Sequence, residues 1–198
     1  MRRPYWSVKS LATMALLCAM SVVLGTALSI KAIPLGGTYT VNVALNLLPV
    51  QFAGLLFGPV AGLLIGFVAD FFKWLVYPLG AYHPGFSLSM AMMGFVPAFA
   101  VQLLQHLQKR DEPLDIRLIH EPRPILLARV TLWQLLLGVG AAQLLFSVGL
   151  NSYWIASMQG RAIWALLPVR VVNALVMIPI YSLLLRESAR LSVRLGLV

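Results

Sequence analysis

Two ionisable residues, Asp70 and Lys73, sit inside an apolar run, in the stretch DFFKWLVYPLGAYHPGF of residues 70–86. Three positions apart, they share one face of a helix, where an acid and a cation can pair with each other or bind a polar solute together. An ionised side chain at membrane depth costs roughly 2.5–3.5 kcal/mol on insertion scales, so something must offset it. Two readings stay open: an internal ion pair that fastens two helices, or one wall of a polar ligand pocket. The residues after Lys73 favour the pocket. Pro78, Gly80, Pro84 and Gly85 are expected to stop the helix and fix a turn, and Tyr82, His83 and Phe86 add rings. The segment reads as a rigid lid over a buried polar group.

Further candidates lie near the ends of other apolar runs. Lys31 and Tyr39 fall in a polar break over 31–42 that is expected to fold back over the bundle. Asn151, Tyr153 and Trp154 open a short loop over 151–161, where rings serve either a pocket or an interfacial belt. Arg170 stands in LLPVR, two residues after Pro168, with Asn173 one turn further on. Its fork suits a carboxylate or a planar heterocycle, while the competing reading is an arginine snorkelling to the headgroups.

Other chemistry is poorly supplied. No lysine follows a glycine, so there is no P-loop and any ATP hydrolysis must come from a partner. An intramembrane enzyme using His83 and Ser87, four apart, is the alternative of another class. Ser87 lies in GFSLS instead of a GxSxG elbow, however, and Pro84 keeps His83 in the loop, so no catalytic residue is assigned. His83, His106 and His120 are scattered over both membrane sides and Cys18 stands alone, which leaves neither a metal site nor a disulfide; no cofactor is expected.

The elements that must hold these residues are membrane helices. With 198 residues, 60% hydrophobic and 11% charged, and a mean hydropathy of +0.87, the chain is expected to be an all-α integral membrane protein forming a single domain over 1–198. Six apolar runs, over 11–30, 40–57, 60–77, 87–107, 125–150 and 164–185, each approach the length that a hydrocarbon core about 30 Å thick requires. The first run resembles a secretory signal but is too long, and is taken as a retained helix. The net charge of +9 does not point to nucleic acid, because the basic residues cluster between apolar runs. Arg2, Arg3, Lys9, the middle loop around Lys109 to Arg129, and Arg186, Arg190 and Arg194 fall on one side, so both termini are expected in the cytoplasm. The polar residues that topology leaves over gather on the opposite, external side.

Small residues mark helix contacts. In the first run Ala15 and Ala19 form one face, and Ser21, Gly25 and Ser29 another. Gly58, Gly62 and Gly66 lead to Asp70 at four-residue spacing, a stripe of bare backbone that must pack on a neighbour.

The order LLP, LLFGPVAGLLIGFVAD, YHPGFSLS, LNSYW and LLPVR resembles the substrate-binding S components of energy-coupling factor transporters, specifically the folate family, over nearly the whole chain. The resemblance implies a six-helix bundle that captures a vitamin, folate or a reduced folate, on the external side. It further implies partnership with the transmembrane coupling protein EcfT and two cytoplasmic ATPase subunits. Carried over to matching positions, it places the YHPGF loop, the NSYW segment and Arg170 in the pocket. It also makes Ala15 and Ala19 the docking face for the coupling protein. The same scaffold with another aromatic vitamin or heterocycle is the nearest alternative.

Overall fold

The computed structural model describes residues 7–27, 30–34, 40–43, 45–78, 81–108, 127, 130–160 and 162–194. Five helices among them are long and apolar enough to cross a membrane. In chain order the elements are α1 (Val8–Ala27), β1 (Ile30–Pro34), β2 (Thr40–Val43), α2 (Leu47–Phe57), α3 (Pro59–Val76), α4 (Pro84–Gln108), α5 (Leu132–Ala142), a π-wound turn (Gln143–Leu150), α6 (Asn151–Gln159) and α7 (Ile163–Arg194).

Three expectations are corrected. The predicted second span over 40–57 is not one helix. Thr40, Val41 and Val43, β-branched and suited to extended pairing, form β2 instead, antiparallel to β1 with Lys31 opposite Asn42. The helix after it, α2, has 11 residues, about 16 Å at 1.5 Å per residue, roughly half a hydrocarbon core. The lid is also shorter than expected, because Pro84 opens α4 instead of ending a loop; proline's missing N–H costs nothing in a first helical turn. The loop predicted over 151–161 is helical through Gln159, continuing the fifth run without a break. Tyr39, Ser29, His120, Arg161 and the middle-loop cations Lys109, Arg110, Arg117, Arg123 and Arg129 lie outside the described residues.

The glycine stripe of α3 meets α4 as expected. A Cβ on Gly66 would come within 2.5 Å of the Met90 carbonyl oxygen, and one on Gly62 would strike the Gly94 carbonyl. Gly54 of α2 joins the same contact, its would-be Cβ 2.6 Å from that oxygen. Three helices thus touch backbone to backbone, the close approach that small residues allow between apolar helices. Between α2 and α3, Gly58 adopts φ 97°, a conformation L side chains rarely take, and Pro59 then starts α3. Gly94→Ala is expected to destabilise the bundle by about 1–3 kcal/mol, because the new methyl meets carbonyl backbone that cannot swing aside. Thermal unfolding in detergent measures it.

Proline inside α4 has a partner for what it frees. Pro97 offers no N–H to the Met93 carbonyl one turn back, and Gln51 Nε2 of α2 donates to that oxygen at 3.4 Å. Gln51 is fully buried, so this polar side chain sits where the helix backbone needs it.

Helix α1 divides its two small faces. Ser21 Oγ donates to the Asn46 carbonyl oxygen at 2.7 Å, and Gly25 lies against the Lys73 stem and Asn46. The Ser21 and Gly25 face is therefore spent inside the bundle. Ala15 and Ala19 are exposed on the other side.

Candidate functional site

A cavity of about 530 Å³ opens at the end of the bundle where α3 finishes and α4 begins. Helical periodicity builds each wall. From α3 come Asp70, Lys73, Trp74 and Tyr77, one stripe of the i, i+3, i+4, i+7 kind. From the start of α4 come Phe86, Met90 and Met93; from the π-wound turn and α6 come Ser147, Asn151, Ile155 and Met158. Asn46 and Leu47 close it from the start of α2, and Ala81, Tyr82 and His83 cover it.

Asp70 is held by more than its cation. Ser87 Oγ donates to Asp70 Oδ2 at 2.8 Å, and the Tyr82 hydroxyl lies 2.9 Å from Ser87 Oγ. Because the Ser87 proton is given to the carboxylate, the Tyr82 hydroxyl is the donor in the second bond. Lys73 Nζ stands 4.0 Å from Asp70 Oδ1, at the outer limit of an ion pair, with Lys73 36% exposed against 16% for Asp70. The pair is loose, and the ammonium faces the cavity with most of its hydrogen-bonding capacity left over among the described residues.

Rings line the same hollow. Tyr82 packs edge-on against Phe71 at 5.6 Å and lies 5.2 Å from Trp74, while His83 meets Phe86 at 5.8 Å and Trp154 at 4.9 Å. His83 Nδ1 accepts the Gly85 N–H at 3.1 Å and so caps α4, which puts the ring proton on Nε2. Ser87 and His83 do not pair with each other, so the Ser–His arrangement that an intramembrane enzyme would use is not formed. The His/Cys/Asp/Glu residues among those described form no group able to hold a metal ion.

Of the residues singled out in the sequence, Asp70, Lys73, Tyr82, His83, Phe86 and Asn151 come together on the cavity. Four do not line it, among them Tyr153, which is exposed and packs against Trp154. Trp154 packs behind the wall, against His83 and against Gly85, where a Cβ would sit 2.6 Å from its ring. Arg170 instead donates from Nη1 to the Ser147 carbonyl at 2.7 Å. Asn173 lies one turn beyond Arg170, with its Oδ1 buried and without a partner among the described residues. Lys31 is on β1, opposite Asn42, and Tyr39 lies outside the described residues. Sequence reading missed Asn46, Trp74, Tyr77, Ser147, Ile155 and Met158. For Trp74 and Tyr77 the signal was present, since they continue the Asp70–Lys73 face at helical spacing.

Two amide oxygens of the cavity, Asn46 Oδ1 and Asn151 Oδ1, are buried without a hydrogen-bond partner among the described residues. Left so, each costs about 1–3 kcal/mol, a penalty that a ligand N–H removes on binding.

A second hollow of about 550 Å³ runs along the outside of the bundle between α1 and α3. Ala15, Cys18, Ala19, Val22, Leu64, Val68 and Phe72 line it, so both alanines face an apolar groove.

Apolar helices closed around a polar, ring-lined hollow at one end are the build of a membrane protein that takes up a small solute. The chain belongs to the family of substrate-specific components of ECF transporters, whose family model matches residues 9–186. That family makes it a transporter subunit and not an enzyme. It is similar to the folate transporter FolT of Clostridium novyi (strain NT), 25% identical over 185 residues that cover 93% of this chain and 90% of the relative. A crystal structure of FolT bound with folic acid shares the fold, with a TM-score of 0.67 at 20% identity over 91% of each chain.

Proposed function

We propose that this chain is the high-affinity folate-binding subunit of an ECF importer, taking folate or a reduced folate into the cavity between α3, α4 and α6. The observation that carries the reading is the pair of amide oxygens without a partner among the described residues, Asn46 Oδ1 and Asn151 Oδ1, in a ring-lined cavity that also holds the Lys73 ammonium. A pterin edge presents N–H donors, which suit the two amides, and its plane suits Trp74, Phe86 and Tyr82. Carboxylates on the same ligand suit Lys73. The names of the relatives point to the same ligand class. Purified protein is expected to bind labelled folic acid tightly without ATP. Tight binding of a different heterocycle with none of folate overturns the ligand assignment and leaves the family untouched.

The finer topology belongs to the same reading. The chain forms a single domain in the cell membrane with six passages, the second made by the hairpin end and α2 together, and both termini are cytoplasmic. The clustered basic residues support that orientation. EcfT docks on the α1–α3 groove at Ala15 and Ala19, and two ATPase subunits drive release. Ser87→Ala withdraws the donor from Asp70, and the bundle is expected to lose about 1.5–3 kcal/mol of stability, the worth of a hydrogen bond to a charged group. Thermal unfolding in detergent reads that loss directly.

A further inference from the structure

The bond from Arg170 to the Ser147 carbonyl joins α7 to a segment wound in an unusual way. Over Gln143–Leu150 the helix is π-wound, and the Asn151 N–H donates to the Phe146 carbonyl, five residues back instead of four. Such turns are rare and occur mostly as local insertions in α-helices, frequently at functional sites. Their geometric effect is a rotation. Each α-helical residue turns the chain by about 100°, so gaining or losing one residue of winding swings everything downstream by that angle. Asn151, Ile155 and Met158 line the cavity from just beyond the insertion, and a switch to regular α-winding would turn them away from it.

Widened winding costs hydrogen-bond quality, so a further donor to one of its carbonyls strengthens the turn. Ser147 has one in the Arg170 guanidinium, at 2.7 Å and partly buried, a charge-assisted bond of the stronger kind. Arg170 itself does not line the cavity, whereas Ser147 does. We infer that Arg170 is a positioning residue: its guanidinium holds the π-wound turn, and thereby sets the orientation of Asn151 toward the cavity, without touching the ligand. The affinity part of the test rests on the proposed folate function; the backbone part does not.

The experiment uses the full chain in detergent, as wild type, Arg170→Met and Arg170→Lys. Hydrogen exchange over 146–155 in ligand-free protein is expected to speed up about tenfold in Arg170→Met, with α3 and α4 unchanged. Arg170→Lys, which keeps a charged donor for a single carbonyl, is expected to restore most of the protection. Folic acid and pteroic acid, which lacks the glutamyl carboxylates, are expected to lose affinity by the same factor, about tenfold or more, in Arg170→Met. Asn151→Ala is expected to cost much less in that background than alone. Unchanged exchange over 146–155 overturns the inference, as does acceleration spread equally through α3 and α4. A loss confined to folic acid also overturns it, by making Arg170 a carboxylate ligand. If the wild type binds neither compound while exchange responds as described, the folate reading fails and the positioning role holds.

Discussion

Lys73→Glu is expected to weaken folate binding by roughly a hundredfold or more, the largest effect of any single change in the cavity. Lys73 faces the hollow and is 36% exposed, and the Asp70 carboxylate lies 4.0 Å away. Reversing its sign sets two carboxylates side by side where an anionic ligand must enter. A ligand carboxylate about 4 Å from the reversed charge is repelled by about 4 kcal/mol at an effective dielectric constant near 20, and solvent around a partly exposed side chain reduces that figure. A factor of a hundred is what remains after that discount. Lys73→Gln, which removes the attraction without adding repulsion, is expected to cost about tenfold. Equilibrium binding at two salt concentrations checks the assignment: the deficit of the Glu variant shrinks as salt rises if charge is the cause. Equal affinity in wild type and Lys73→Glu would remove Lys73 from the site.

Ala15→Trp combined with Ala19→Trp is expected to abolish uptake by cells while leaving folate binding by the purified subunit within about twofold of wild type. Both alanines line the α1–α3 groove, and neither lines the cavity. The opposite small face of α1, with Ser21 bonded to Asn46 and Gly25 against Lys73, is already committed to the bundle. Two indoles in the groove remove the close approach that small residues permit and leave the interior contacts alone. Uptake of labelled folate by whole cells, set beside binding to the purified variant, separates the two functions. Loss of binding together with uptake would mean that the groove is part of the folded core and not a docking face.

Patterns of period 3.6 were legible in the chain because they depend only on the spacing of side chains along a helix. The Gly62–Gly66 stripe had to pack on a neighbour, and it packs on α4. The Asp70–Lys73 face had to be offset, and the same face carries Trp74 and Tyr77 into the cavity. Less legible were the points where backbone chemistry outweighs hydropathy. The run over 40–57 is apolar enough for a span, yet its β-branched start pairs with β1 and leaves α2 at 11 residues. Pro84 has the chemistry of a helix breaker, and it is a first-turn residue in the fold. Arg170 has the chemistry of a ligand group, but it does not line the cavity and gives an Nη1 donor to a carbonyl of a neighbouring helix.

By itself the order of residues determined that this is a helical membrane protein and which family it joins, because composition, period and motif are local properties of a chain. Only the tertiary structure decided that Ser87 belongs to Asp70 and Tyr82 instead of His83, that Asn46 and Asn151 hold oxygens without a partner among the described residues in one hollow, and that Trp154 and Arg170 stand behind its wall. Those facts depend on how helices far apart in sequence rotate and approach, down to one residue of winding in Gln143–Leu150, and hydropathy carries no record of that angle.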